Sequence, residues 1–60
     1  MRIDDNCYRV YYIMNDDSVE LLPFNSMFLA LRDAYYWIKN IRCKEVVIFH
    51  HSECVAIIRK

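Results

Sequence analysis

Apolar and polar positions alternate along some stretches of this chain and recur every three or four residues along another, and that change of period sets out its elements. Residues 7–14 (CYRVYYIM) are dense in β-branched and aromatic side chains, which fit a pleated, half-buried surface, so a first strand is expected there. Alternation puts Tyr8, Val10, Tyr12 and Met14 on one side of it and Cys7, Arg9, Tyr11 and Ile13 on the other. Asn15-Asp16-Asp17 reads as a turn, because short Asx side chains bond the nearby backbone. Residues 18–24 follow as a second strand, hairpinned to the first. Pro23 has no N–H to give to a ladder, so it belongs at an edge or a strand end. Asn25-Ser26 offers an N-cap, and residues 27 to 42 then read as a helix. Ala30, Leu31, Arg32 and Ala34 are good helix formers, and Arg42 suits the C-terminal end of the dipole. Residues 45–50 (EVVIFH) are a third strand, His50-His51-Ser52 a turn, and residues 53–59 (ECVAIIR) a fourth strand. Residues 1–6 are polar and expected to fray. The whole chain, 1–60, is expected to be one α+β domain in the order β-β-α-β-β, an antiparallel sheet with one helix packed on one face.

The helix pattern has a second feature. At about 100° per residue, Met27, Ala30, Leu31, Ala34, Ile38 and Ile41 share one side, with Trp37 at its margin, and this is the expected core stripe. The opposite side should be polar and is not. Leu29 and Tyr36 lie nearly opposite the core, among Asp33 and Asn40, and Phe28 and Tyr35 lie on a flank with Arg32 and Lys39. Leu29, Asp33, Tyr36, Trp37 and Asn40 therefore make a candidate partner-binding patch of aromatic anchors edged by hydrogen-bonding groups. The last two strands add an independent argument. They are apolar on both sides, with Val46 and Ile48 backed by Val47 and Phe49, and Val55 and Ile57 backed by Cys54, Ala56 and Ile58. An antiparallel sheet with one wet face should alternate instead. One helix covers one face, so the open face is expected to meet a second copy or another protein.

Composition sharpens this picture. Of the 60 residues, 57% are apolar, more than one small core is expected to hide. Acidic and basic residues balance at 8 each, which speaks against a protein built to hold nucleic acid and leaves little self-repulsion. There is no glycine, so phosphate loops and dinucleotide fingerprints are excluded, and turns must rely on residues such as Asn15, Asp16, His51 and Ser52. The 3 cysteines, Cys7, Cys43 and Cys54, are odd in number and lack a CxxC spacing, which fits a reduced cytoplasmic setting rather than a disulfide scaffold. No apolar run approaches the roughly 18 residues needed to span a bilayer, so no membrane association is expected. Abundant Ile, Asn, Tyr, Lys, Phe and Met with few Ala fit an AT-rich coding sequence, the style of a small phage gene.

The candidate chemistry is thin. His50, His51, Cys54 and Cys43 do not have a standard zinc spacing, and adjacent residues on a strand point to opposite faces. Cys54 near a histidine is better read as a small buried hydrophobe than as a nucleophile. Asp4-Asp5 and Asp16-Asp17 lie in a tail and a turn, where solvated charge is ordinary. No catalytic residue, metal or cofactor is expected. Tyr8, Arg9, Tyr11 and Tyr12 interleave aromatics with a base as a stacking platform would, and Arg42, Lys44, Arg59 and Lys60 can gather at one end. A homodimeric nucleic-acid-binding or regulatory module is accordingly the alternative reading.

A very short chain, two hairpins around one helix, Trp37 and Asn40 on that helix, and a last strand bearing Cys54 resemble the Dmd antitoxins of T-even-type phages. The resemblance covers the order of elements over most of the chain and rests on no motif string. It implies a protein that neutralises a host ribonuclease toxin of the RnlA/LsoA kind by occupying it directly, with a helical Trp and Asn touching the toxin. Trp37 and Asn40 hold those places here. The expected function is that of a phage-encoded, cytoplasmic inhibitor of a host toxin or defence protein, acting by steric occupation and not as an enzyme.

Overall fold

The computed structural model describes residues 7–40 and 43–60. The expected element order holds: β1 (Tyr8–Met14), β2 (Val19–Phe24), α1 (Met27–Asn40), β3 (Cys43–His50) and β4 (Glu53–Arg59). All strand pairs are antiparallel, and the sheet runs β2-β1-β3-β4. The helix therefore leaves the β2 edge and delivers β3 beside β1 at the centre. Pro23 lies in β2, an edge strand, opposite Arg9, where its missing N–H costs little.

The core lies between the helix and one face of the sheet. Val10 and Tyr12 from β1, Cys43, Val46 and Ile48 from β3, and Ala30, Ala34 and Ile38 from α1 are buried. The two alanines allow the helix backbone to approach the sheet closely, and Met27, Leu31, Trp37, Ala56 and Ile58 close the sides.

Two register slips decide which side chains face the helix. Ile13 stands opposite Glu45 but Met14 opposite Cys43, so Lys44 is an extra residue on β3. A bulge of this kind lets residues three apart face the same way. Cys43 and Val46 both enter the core for this reason, and the Cys43 thiol donates to the Glu45 carbonyl at 3.3 Å. β3 thus starts at Cys43, two residues before the expected Glu45. The second slip changes β4. Ile48 pairs with Ala56 but Phe49 with Cys54, leaving Val55 as the extra residue. Cys54, expected on the side of Ala56 and Ile58, instead shares the open face with Phe49. The expected positions of Ile41 and Arg42 at the helix end, and of residues 1–6, lie outside the described residues. Lys39 is the base that meets the last helical turn.

Without glycine, other residues take the left-handed backbone positions. In the first turn the Asp17 N–H donates to the Met14 carbonyl at 2.9 Å, and Asp17 has φ 71°. The Asp16 carboxylate accepts from the Ser18 N–H at 3.0 Å and hydroxyl at 2.7 Å, which holds its pKa below the usual carboxylate range. The Lys44 ammonium pairs with Asp17 across the sheet end. In the second hairpin His51 and Ser52 have φ 56° and 66° between the paired His50 and Glu53. Two central residues with positive φ match the twist of a two-residue hairpin, but each side chain there is sterically unfavourable. Ser52→Gly is expected to raise stability by about 0.5–1 kcal/mol, seen as a melting temperature several degrees higher in a thermal denaturation followed by circular dichroism.

Candidate functional site

Ser26 fixes the phase of the helix. Its hydroxyl accepts the Leu29 N–H at 3.2 Å and its carbonyl accepts the Ala30 N–H at 3.1 Å, as an N-cap requires. With the helix started there, Ala30, Ala34 and Ile38 point at the sheet. The turn spacing then leaves Phe28, Leu29, Arg32, Tyr35, Tyr36, Lys39 and Asn40 toward solvent. Phe28 is 70% and Tyr36 55% exposed. The Arg32 guanidinium carbon lies 5.8 Å from the centre of the Phe28 ring, one turn away, a cation–π contact that keeps the ring flanked without covering it. The Asn40 side chain donates to the Tyr36 carbonyl at 3.2 Å, satisfying one of the last helical carbonyls.

The five residues expected to form the binding patch are divided by the fold. Leu29, Tyr36 and Asn40 lie on the solvent side of the helix. Trp37 and Asp33 lie where the helix meets the sheet, and both are half-buried. The Trp37 ring packs on Tyr12 with centroids 4.2 Å apart and planes tilted by 32°. The Tyr12 hydroxyl, at the end of a fully buried side chain, donates to the Asp33 carboxylate. Burial, reinforced by the bond to Asp33 and its negative charge, pushes the Tyr12 phenol far above its ordinary pKa. Asp33 and Trp37 therefore fasten the helix to β1 as well as bordering the outer patch. Phe28 and Tyr35 are the exposed aromatics that the five-residue patch omits, and the helical period places both on the flank with Arg32 and Lys39.

A second apolar surface is the sheet face away from the helix. Reading across β2-β1-β3-β4, the pairings set out three rows: Val19, Ile13, Glu45 and Arg59; then Leu21, Tyr11, Val47 and Ile57; then Pro23, Arg9, Phe49 and Cys54. The middle row is apolar from edge to edge. Tyr11 and Phe49 meet edge to face at 5.5 Å. Arg59 Nε donates to Glu45 at 3.2 Å in the first row. The contribution of β2 through Val19 and Leu21 adds to the apolar last hairpin that the sequence emphasised.

The remaining candidates have ordinary surroundings. Tyr8 stacks on His50 at 4.0 Å and 8°, His50 lies 4.0 Å from His51, and Tyr12 is inaccessible, so the tyrosines of β1 do not form one open stacking platform. Cys7 is half-buried, Cys43 buried and Cys54 exposed, and all are free thiols. Among the described residues no group of three or more His, Cys, Asp or Glu is placed to hold a metal. Lys44, Arg59 and Lys60 do gather at one end, where the Lys60 N–H meets the Lys44 carbonyl at 3.3 Å, but Lys44 and Arg59 each sit against a carboxylate. An open hollow of about 280 Å³ beside the first turn is lined by Met14, Asn15, Asp16, Ser18 and Glu20. Among the described residues no helix is long and apolar enough to cross a membrane.

This chain matches no protein-family profile, no curated protein and no solved structure.

The Tyr12–Asp33 bond gives a specific pH signature. The folded phenol holds its proton where an unfolded tyrosine releases it near pH 10, so its contribution is complete below about pH 10 and falls as pH rises beyond it. Tyr12→Phe is expected to cost about 1–2 kcal/mol at neutral pH, because Asp33 loses its donor, and to shallow the alkaline loss of stability. Urea titrations at pH 7 and above pH 10 measure both; an unchanged alkaline slope would remove Tyr12 as its source.

Proposed function

We propose that this protein acts by binding another protein through the solvent side of α1, and that its partner is a host toxin or defence enzyme which it blocks sterically. The observation behind this reading is the run of exposed apolar and aromatic side chains Phe28, Leu29, Tyr35 and Tyr36 on a helix whose opposite side already fills the core. Large aromatics with a polar rim are the usual anchors of protein interfaces. The helix is capped at Ser26 and tied to the sheet through Tyr12, so these anchors are held in place before binding. Preorganisation lowers the entropy cost of association. Asn40, Arg32 and Lys39 at the rim supply directional bonds and charge.

The resemblance to the Dmd antitoxins gives the partner class: a ribonuclease toxin of the RnlA/LsoA kind, in the cytoplasm of a phage-infected cell. In that setting Tyr36 and Leu29 are anchors, Asn40 a hydrogen-bonding group, and Trp37 both a support and an anchor at the patch edge. The alternative, a homodimeric nucleic-acid-binding module, has less support. Its basic cluster is interleaved with Asp17 and Glu45, and Tyr12 has no face to offer a base.

Purified toxin of that kind, assayed for RNA cleavage, is expected to lose activity at a stoichiometric amount of the chain. Tyr36→Ala or Phe28→Ala should weaken the inhibition by about 2 kcal/mol, roughly thirtyfold in affinity, with the circular dichroism spectrum unchanged. Full inhibition by both folded variants would exclude the helix as the contact surface. Undiminished cleavage in the presence of wild-type chain would exclude this toxin class.

A further inference from the structure

We propose that the open sheet face is the interface between two copies of this chain, related by a twofold axis that runs across the strands through the row Leu21, Tyr11, Val47 and Ile57. This goes beyond the helix-mediated reading and does not depend on it.

Three observations choose a second copy as the occupant. The first is where the exposed apolar area lies. On this face Val19 is 55%, Leu21 51% and Ile57 51% exposed, and they flank the half-buried Tyr11, Val47 and Phe49. The apolar surface thus continues from one edge strand to the other. An interface between sheets packs inner faces of this kind about 10 Å apart.

The second is charge. The face is not uniformly apolar: Glu45 lies in one outer row and Arg9 in the other, on the neighbouring central strands β3 and β1. Arg9 is exposed and makes no ion pair among the described residues. A twofold axis along the middle row exchanges the outer rows. It sets each Arg9 over the partner's first row, opposite Ile13 and one strand away from Glu45. The Glu45 carboxylate, which receives Arg59 on one side, then accepts the second guanidinium as well. The same operation repeats the contact at the other end, so the face is complementary to itself. Such a surface selects a copy of this chain over an arbitrary apolar partner. A formal net charge of +0 adds little repulsion between copies.

The third is size. Strands spaced by about 4.8 Å and rising about 3.3 Å per residue make this face roughly 19 by 20 Å. Two such faces bury roughly 760 Å² in total, below the ~1,200 Å² of stable specific interfaces and in the range of weak, transient contacts. A dimer of micromolar rather than nanomolar affinity is the natural outcome. It would carry its two helices on the outside, back to back.

Sedimentation velocity on the full chain, from low micromolar to near-millimolar concentration, tests this. The expected result is a concentration-dependent shift from a species of 7.3 kDa to one of twice that mass. Leu21→Lys and Ile57→Lys, at exposed edge positions that do not disturb the core, should raise the dissociation constant at least tenfold. Arg9→Glu and Glu45→Lys should each weaken the dimer, and the two together should restore it. Phe28→Ala and Tyr36→Ala should leave it unchanged, which separates this proposal from the helix reading. A chain that stays monomeric throughout, forms a different oligomer, or dimerises equally well with Lys at positions 21 and 57 overturns the interface. Dimerisation that ignores the charge exchange overturns the twofold arrangement.

Discussion

One helix of 14 residues, about 21 Å long, packs against one side of a four-stranded sheet, and it is the sole element available among the described residues to cover it. Everything else about the molecule follows from this shortage of cover. The covered side acquires a dry core of small and medium side chains, with alanines under the helix and Val10, Val46 and Ile48 beneath them. The other side keeps an apolar middle row that no other element among the described residues covers. A domain of this size hides only a modest fraction of its surface, so a chain that is 57% apolar must present some of it.

The helix–sheet joint is unusually polar at one place. Tyr12 is fully buried, yet its hydroxyl reaches the half-buried carboxylate of Asp33, and Trp37 packs over its ring. A buried hydroxyl without a partner would oppose folding, whereas one that finds a carboxylate fixes the helix in rotation and position. That fixation also sets which side chains face outward. With the Tyr12 side pinned inward, Phe28, Leu29 and Tyr36 are held outward and cannot roll into the core. The same interaction therefore stabilises the fold and holds the proposed contact surface in place.

The two bulges have a comparable double role. The extra Lys44 on β3 turns Cys43 inward and puts Lys44 within reach of Asp17. The extra Val55 on β4 turns Cys54 to the open face and breaks the regular edge. Irregular edges resist indiscriminate strand pairing, and Pro23 does the same at the opposite edge. Face-to-face packing is left as the more accessible route of association.

Local chemistry was enough to establish the elements and their order. β-branched and aromatic runs mark the strands, Ser26 before an apolar repeat marks the helix start, and Asx residues mark the first turn, because each acts over a few neighbouring residues. The excess of apolar surface and its presence on both sides of the last hairpin were likewise legible, since alternation is a property of the chain itself. The strand order, the bulges at Lys44 and Val55, and the face of Cys54 belong to the tertiary structure, because each depends on which residue of another strand lies opposite. The sequence also marked Asp33 and Trp37 as members of a candidate patch without revealing their hold on Tyr12. The bond from Tyr12 to Asp33 joins residues 21 positions apart, and Trp37 lies farther still along the chain, so only the packing of helix on sheet brings them together.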